Sequence, residues 1–282
     1  MTYVLAYDIG TTGVKTCLFE IGSSITLLAA HLEKTGVSPE QIAGISFCSQ
    51  MQGLILTDKD GVPVRRPMSY MDQRAVEEIR KGIAYGIQIA GANVFKLLKS
   101  LRITGAVSTS VKDPMWKYKW IEVHEPENFA RAYKWLDVKE YLIHRCTGRF
   151  VMTEDSAFAT LLYDTRKHCW SEPLCRTFGI HPDHLPEIIA SSDQAGVLTE
   201  QAAADLGITA GIPVFGGGGD ASLIGVGAGS TAVGDTHIYC GTSGWVTTVT
   251  DRQLVDASAM IAAIVGAQSG RHNYFAGKGL PG

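Results

Sequence analysis

The sequence predicts an α/β fold, and three observations carry that reading. Short apolar runs rich in β-branched residues alternate along the chain with stretches of helical apolar spacing. A strand, a Gly-Thr turn and a second strand occur twice, and a run of four glycines separates a short strand from a helix.

The elements follow in order. "YVLAYDIGTTGVKTCLFE" reads as two strands, residues 3–8 and 14–20, joined by a tight turn. A third apolar run, 25–30, follows, and "VSPEQIAGISFCSQ" turns into a buried strand at 42–48. "LILTDKDGVPVRRPMSYMDQRA" begins as a strand, turns at Lys59-Asp60-Gly61 and opens a helix near Asp72. From about 75 to 150 the spacing is mostly helical, with Ile79, Ile83 and Ile87 in one stretch and Trp116, Trp120 and Val123 in another. "GIPVFGGGGDASLIGVGAG" is a short strand, a glycine run and a helix, and "DTHIYCGTSGWVTTVT" is a second hairpin. The apolar run at 255–270 reads as a core helix, with a homodimer interface as the alternative.

Composition narrows the function classes. At 282 residues the chain can hold one large domain or two modest ones. The net charge of −3, with Lys and Arg scattered, points away from a nucleic-acid surface. No apolar run approaches the roughly 20 residues that span a bilayer, and the N-terminus lacks a signal-peptide pattern. The six cysteines include no C-x-x-C pair and read as reduced thiols of a cytoplasmic protein.

The first hairpin carries chemistry in its turn. Gly10, Thr11, Thr12 and Gly13 offer backbone N–H groups and hydroxyls to phosphate oxygens. Asp8, at the strand tip beside them, would repel a phosphate unless a cation lay between, so it implies a divalent metal, most simply Mg²⁺ held through waters. A plain hairpin capped by Asp is the competing reading. Four glycines before Asp220 are entropically expensive to order, and they suggest that something bulky passes close to the backbone. A carboxylate at that point can accept a proton from a substrate hydroxyl, although a helix N-cap is the commoner role. The G-x-G-x-x-G of a dinucleotide fold and the G-x-x-x-x-G-K-[ST] of a P-loop are both absent. "HPDH" at 181–184 gives zinc chemistry little support.

Taken in order, the motifs "DIGTTGVKTCLF", "SQMQG", "RRPMSYMDQRA", "KYKWIEVHEPE", "DVKEYLIHRCTGRFVMTEDSAFATLLYD", "FGGGGDASLIGVGAG" and "CGTSGW" resemble the FGGY carbohydrate kinases, in their xylulokinase branch. The resemblance runs from residue 3 to about 250. It implies an actin-like ATPase fold of two RNase-H-like lobes around a nucleotide cleft, with 1–229 as the N-terminal lobe and 230–282 as the incomplete start of the second. The implied reaction moves the γ-phosphoryl of MgATP to the 5-hydroxyl of D-xylulose, with another ketose, a polyol or gluconate as alternatives, or a non-catalytic binding relative. The resemblance implies that Asp220 is the general base and that Asp8 organises Mg²⁺. Gly10, Thr11, Thr12 and Lys15 would meet the phosphates from one side, and Gly241, Thr242 and Ser243 from the other. Met51, Gln52, Asp72 and Arg74 would line the sugar pocket. Domain closure is implied as well, with glycines 216–219 and 225–229 near the hinge.

Departures fall near the sugar. Gln52 stands where the family has His, Ala221 where it has Asn, and Tyr70 where it has Trp, which puts specificity in question more than activity. Against the family pattern the chain is short after "ITLLAA", "YDTRKHCWSE" is itself a few residues short, and neither the adenine-binding segment nor the second signature is visible. The expectation is that residues are missing near Ala30–Leu32.

Overall fold

The computed structural model describes residues 2–10, 13–21, 25–29, 36–83, 85–89, 92–240, 244–256 and 261–276. Thr11, Thr12, Gly241, Thr242 and Ser243, and the discontinuity expected near Ala30–Leu32, lie outside the described residues.

The N-terminal strands are the expected ones: β1 (Thr2–Ile9), β2 (Val14–Ile21), β3 (Ile25–Ala29) and β4 (Ile42–Ser49). They join β5 (Gln194–Val197), β6 (Pro213–Phe215) and β7 (Gly218–Gly219) in a seven-stranded sheet of order β5-β6-β4-β1-β2-β3, with β7 also paired to β4. β1, β2 and β3 form an antiparallel meander, and β4 runs parallel to β1. A second sheet of five antiparallel strands follows: β8 (Thr236–Cys240), β9 (Gly244–Thr250), β10 (Val255–Asp256), β11 (Ile261–Val265) and β12 (His272–Ala276), in the order β8-β9-β12-β11-β10. The two G-T-[ST]-G hairpins are therefore β1–β2 and β8–β9, one in each sheet.

The helices that bear on the site are α1 (Val76–Ile83), α2 (Val94–Thr104), α3 (Pro114–His124), α4 (Val138–Thr147), α5 (Glu154–Ala159), α6 (Glu200–Leu206) and α7 (Asp220–Gly227). α1 begins at Val76 rather than near Asp72, because Asp72 stands in a turn where its carboxylate takes the Arg74 N–H. Ile87 is 71% exposed beyond the end of α1, so the Ile79, Ile83, Ile87 spacing overran the helix. The described residues of 255–270, namely 255–256 and 261–270, are not a core helix. Alternate residues Ala263 and Val265 are buried in strand β11, and the backbone pairs with β12, satisfying a β-branched apolar run as well as a helix would.

Alternation along the strands sorts the main sheet into two faces. Tyr3, Leu5, Ile45 and Phe47 pack with Ile143 and Cys146 of α4 and Ala202 and Ala203 of α6. A second, larger core joins α1, α3 and α5 around the buried Trp116, Tyr118, Trp135 and Tyr163. No helix among the described residues is long and apolar enough to cross a membrane.

The glycine run is explained by the protein's own packing. Gly217 has φ +63°, and a Cβ there would lie 2.0 Å from the Phe47 carbonyl oxygen on β4. A Cβ on Gly219 would meet the Met51 side chain at 2.3 Å, and one on Gly216 would meet Thr153 at 2.7 Å. The bulky neighbour is therefore the protein's own β4 and α5 region. Gly227 and Gly229 have open space around the added carbon.

Two substitutions separate confinement from conformation. Gly217→Ala combines a left-handed backbone with a backbone clash and is expected to cost more than about 3 kcal/mol in urea unfolding. Gly207→Ala, at φ +69° with nothing within 4 Å, is expected to cost about 1 kcal/mol. Equal costs would show that the close approach to β4 is not what fixes glycine at 217.

Candidate active site

Register brings the site together. In β1, Asp8 pairs with Lys15 of β2 on one side and with Cys48 of β4 on the other. Cys48 pairs in turn with Gly218 of β7, and the next residue pair, Ser49 and Gly219, leads directly into Asp220. Three neighbouring strands thus end at one level, and α7 begins there. Gly219 takes the extended N-cap position and Asp220 is the first helical residue. The Asp220 carboxylate accepts the Ala221 N–H at 2.8 Å.

These residues open onto a cleft of about 720 Å³ lined by Asp8, Gly10, Lys15, Met51, Gln52 and Asp220. Its opposite wall is supplied by the second sheet, through Tyr239, Trp245 and Phe275. The Tyr239 and Trp245 rings stack at 4.1 Å across the β8–β9 pair. Sequence reasoning passed over this aromatic wall. The signal was present in "YCGTSGW", where an aromatic residue flanks the turn on each side.

The loops that carry Met51, Gln52 and Tyr70 are clamped from beneath. Lys117 of α3 is buried and donates to the Gln52 carbonyl at 2.9 Å and the Ser69 carbonyl at 2.7 Å. Burial pulls its ammonium down to about 8, opposed by the charges of Asp137, Asp72 and Asp113. Asp137 accepts the Gly53 N–H at 3.0 Å, and Gln52 itself holds φ +65°, a left-handed conformation uncommon outside glycine. Met51 packs against Gly219, so its side chain ties the loop after β4 to the residue before Asp220.

Asp72 and Arg74 do not join the cleft wall. They pair with each other at 2.9 Å, and the Arg74 guanidinium lies over the Trp120 ring at 4.8 Å, because a two-residue turn spacing lets them satisfy one another. Lys15 does reach the cleft, its ammonium 3.4 Å from the Asp8 carboxylate, but its side chain is 81% exposed. The His pair of "HPDH" belongs to an aromatic cluster, with the Tyr118 hydroxyl 2.8 Å from His184 Nδ1.

Asp8 and Asp220 are close enough to affect one another. Burial first, then the charges of Asp8 and Asp155, push the Asp220 carboxyl above the usual carboxylate range, against the opposing Ala221 N–H. Cys48, between these acids, is pushed up to about 12 by burial and by Asp8, Asp220 and Asp155, so it stays a neutral thiol. Among the described residues no three His, Cys, Asp or Glu side chains converge to hold a metal directly. Two carboxylates with hard oxygens on one open cleft nevertheless suit Mg²⁺, which keeps several of its waters.

Residues 21–227 match the model of the FGGY family of carbohydrate kinases, N-terminal domain. The chain belongs to the FGGY family of carbohydrate kinases. It is 29% identical to a xylulose kinase of Staphylococcus xylosus over 276 residues, 86% of this chain and 54% of that protein. It is 31% identical to a xylulose kinase of Lactococcus lactis subsp. lactis, over 87% of this chain and 53% of the relative. The chain thus spans about half the length of the curated relatives it matches. A solved xylulose kinase from Rhodospirillum rubrum superposes with a TM-score of 0.83 at 21% identity, covering 97% of this chain and 60% of that one. The fold is accordingly the actin-like ATPase fold of the FGGY sugar kinases.

The raised Asp220 carboxyl has a consequence for stability. A carboxyl raised by folding costs stability once it ionises, a cost absent below the unfolded-state value and fully present above the folded one. Asp220→Asn is therefore expected to melt higher than the parent at pH 7, with the difference vanishing toward pH 3. A variant that melts lower at pH 7 would contradict the placement of Asp220 among like charges.

Proposed function

We propose that this chain carries the sugar- and phosphate-binding machinery of an ATP-dependent ketose kinase that converts D-xylulose to D-xylulose 5-phosphate. One observation carries the reading: Asp8 and Asp220 face one cleft, and burial and their mutual repulsion raise the Asp220 carboxyl. A carboxylate so raised is a better base than an exposed one. Residues 1–229 form the sugar and phosphate lobe and 230–282 begin the ATP-phosphate lobe, a division supported by the separate five-stranded sheet.

In the reaction the sugar hydroxyl oxygen attacks the γ-phosphorus of ATP, the bond to the β-phosphate oxygen breaks, and ADP leaves. Asp220 takes the hydroxyl proton. Catalysis of this kind is chiefly positioning and charge stabilisation. Gly10 and Lys15, with Thr11 and Thr12, would hold the phosphates from the β1–β2 side, and Gly241, Thr242 and Ser243 from the β8–β9 side. Asp8 would hold Mg²⁺ through its waters, and that ion would neutralise charge on the phosphates. Met51 and Gln52 line the sugar side of the cleft.

A second reading, a kinase for another ketose, a polyol or gluconate, is favoured by Gln52 and Ala221 standing where xylulokinases differ. ADP release with MgATP and D-xylulose, D-ribulose, L-xylulose, D-fructose, glycerol and gluconate distinguishes the two. Turnover on D-xylulose is expected, and Asp220→Asn is expected to reduce kcat by roughly 1,000-fold with the sugar KM little changed. Slow ADP release that no sugar stimulates and Asp220→Asn leaves unaltered would overturn the kinase reading.

A further inference from the structure

Asp155, the second residue of α5, is completely buried, yet it lines neither the cleft nor any surface. Its Oδ2 accepts the Gly219 N–H at 2.8 Å, across 64 residues of sequence. Its Oδ1 accepts the Ser156 N–H at 2.9 Å and the hydroxyl proton of Thr153. The Thr153 oxygen in turn accepts from the ammonium of Lys139, also buried, at 2.7 Å, and Lys139 donates to Glu140. A chain of hydrogen bonds thus runs from α4 through Thr153 and Asp155 to the peptide that immediately precedes Asp220.

That peptide pairs with Ser49 of β4 on one side, and toward α5 its N–H goes to Asp155. The N-cap of α7 is Gly219, which brings no capping side chain, so the direction of the first helical residue is set by what holds Gly219. Met51 fills the space where a Cβ would stand, and Asp155 Oδ2 is 3.2 Å from the Cβ position of Gly218. Packing and hydrogen bond together fix both peptides before Asp220. We propose that Asp155 is the positioning residue for Asp220, acting through the Gly219 N–H and held in place by Thr153 and Lys139. The proposal rests on the reading of Asp220 as the base.

Burying a charge is costly unless it is paired and hydrogen-bonded. Asp155 meets that cost with three donors of its own and, through Thr153, with the buried ammonium of Lys139. It acts on Asp220 through its oxygen, and an amide in its place would serve the same N–H.

The test is the kinetics of the full chain on MgATP and D-xylulose for Asp155→Asn, Asp155→Ala and Asp220→Asn. Asp155→Asn keeps an acceptor for Gly219 and removes the charge. It is expected to hold kcat and the sugar KM within about threefold of the parent. Asp155→Ala loses the acceptor and is expected to lower kcat about 100-fold with the sugar KM within about twofold. Should the Ala variant not fold, Asp155→Leu, of similar size and without an acceptor, takes its place. Asp220→Asn inactive beside an acceptor-less Asp155 variant with the parent's kcat would overturn the positioning role and leave the base reading standing. Asp220→Asn with undiminished turnover would remove the base reading and this proposal with it.

Discussion

The site depends on one close approach, that of the glycine run to β4. The Phe47 carbonyl occupies the space beside Gly217 and the Met51 side chain the space beside Gly219. Only a backbone without Cβ atoms can lie this near, and lying there lets Gly218 and Gly219 pair with Cys48 and Ser49. The pairing ends at the tip of β4, at the level where β1 delivers Asp8. α7 then starts with its first residue in front of another carboxylate. Without that approach the two acids would belong to different surfaces.

Holding like charges together requires compensation nearby. Asp220 takes a backbone N–H from Ala221, and Asp155 takes three donors of its own. Lys15 offers Asp8 a long, exposed contact, which leaves the Asp8 carboxylate accessible to a cation. The opposite face of the same strands is apolar and is consumed by packing on α4 and α6. Strand alternation therefore assigns the chemistry to one side and the stability to the other, using adjacent residues. The stacked Tyr7 and Phe47 rings lie one residue from Asp8 and Cys48 respectively.

The parts of this account that were legible in the sequence are local. A β hairpin with Asp at its tip, a second hairpin with the same turn, and a glycine run before Asp220 are all contiguous patterns, and each appears where expected. What escaped depends on which partner a residue finds. The glycines were read as making room for a bulky neighbour, and that neighbour is Phe47 and Met51, some 170 residues earlier and so not nameable from the local pattern. Asp72 and Arg74 satisfy each other over two residues instead of turning into the cleft. Within the run at 255–270, Ile261–Val265 is a strand because β12 supplies a backbone partner, a choice that apolar content alone cannot make. The aromatic wall of Tyr239, Trp245 and Phe275 forms where the two sheets meet and has no periodicity of its own.

The most direct test of the central claim is a crystal structure of the full protein with D-xylulose and MgADP. The account predicts a sugar hydroxyl oxygen within about 2.6–3.2 Å of the Asp220 carboxylate, with Met51 and Gln52 along the sugar and the phosphates between the two hairpins. A sugar bound away from Asp220, or an Asp220 carboxylate turned from the cleft with sugar present, would contradict it.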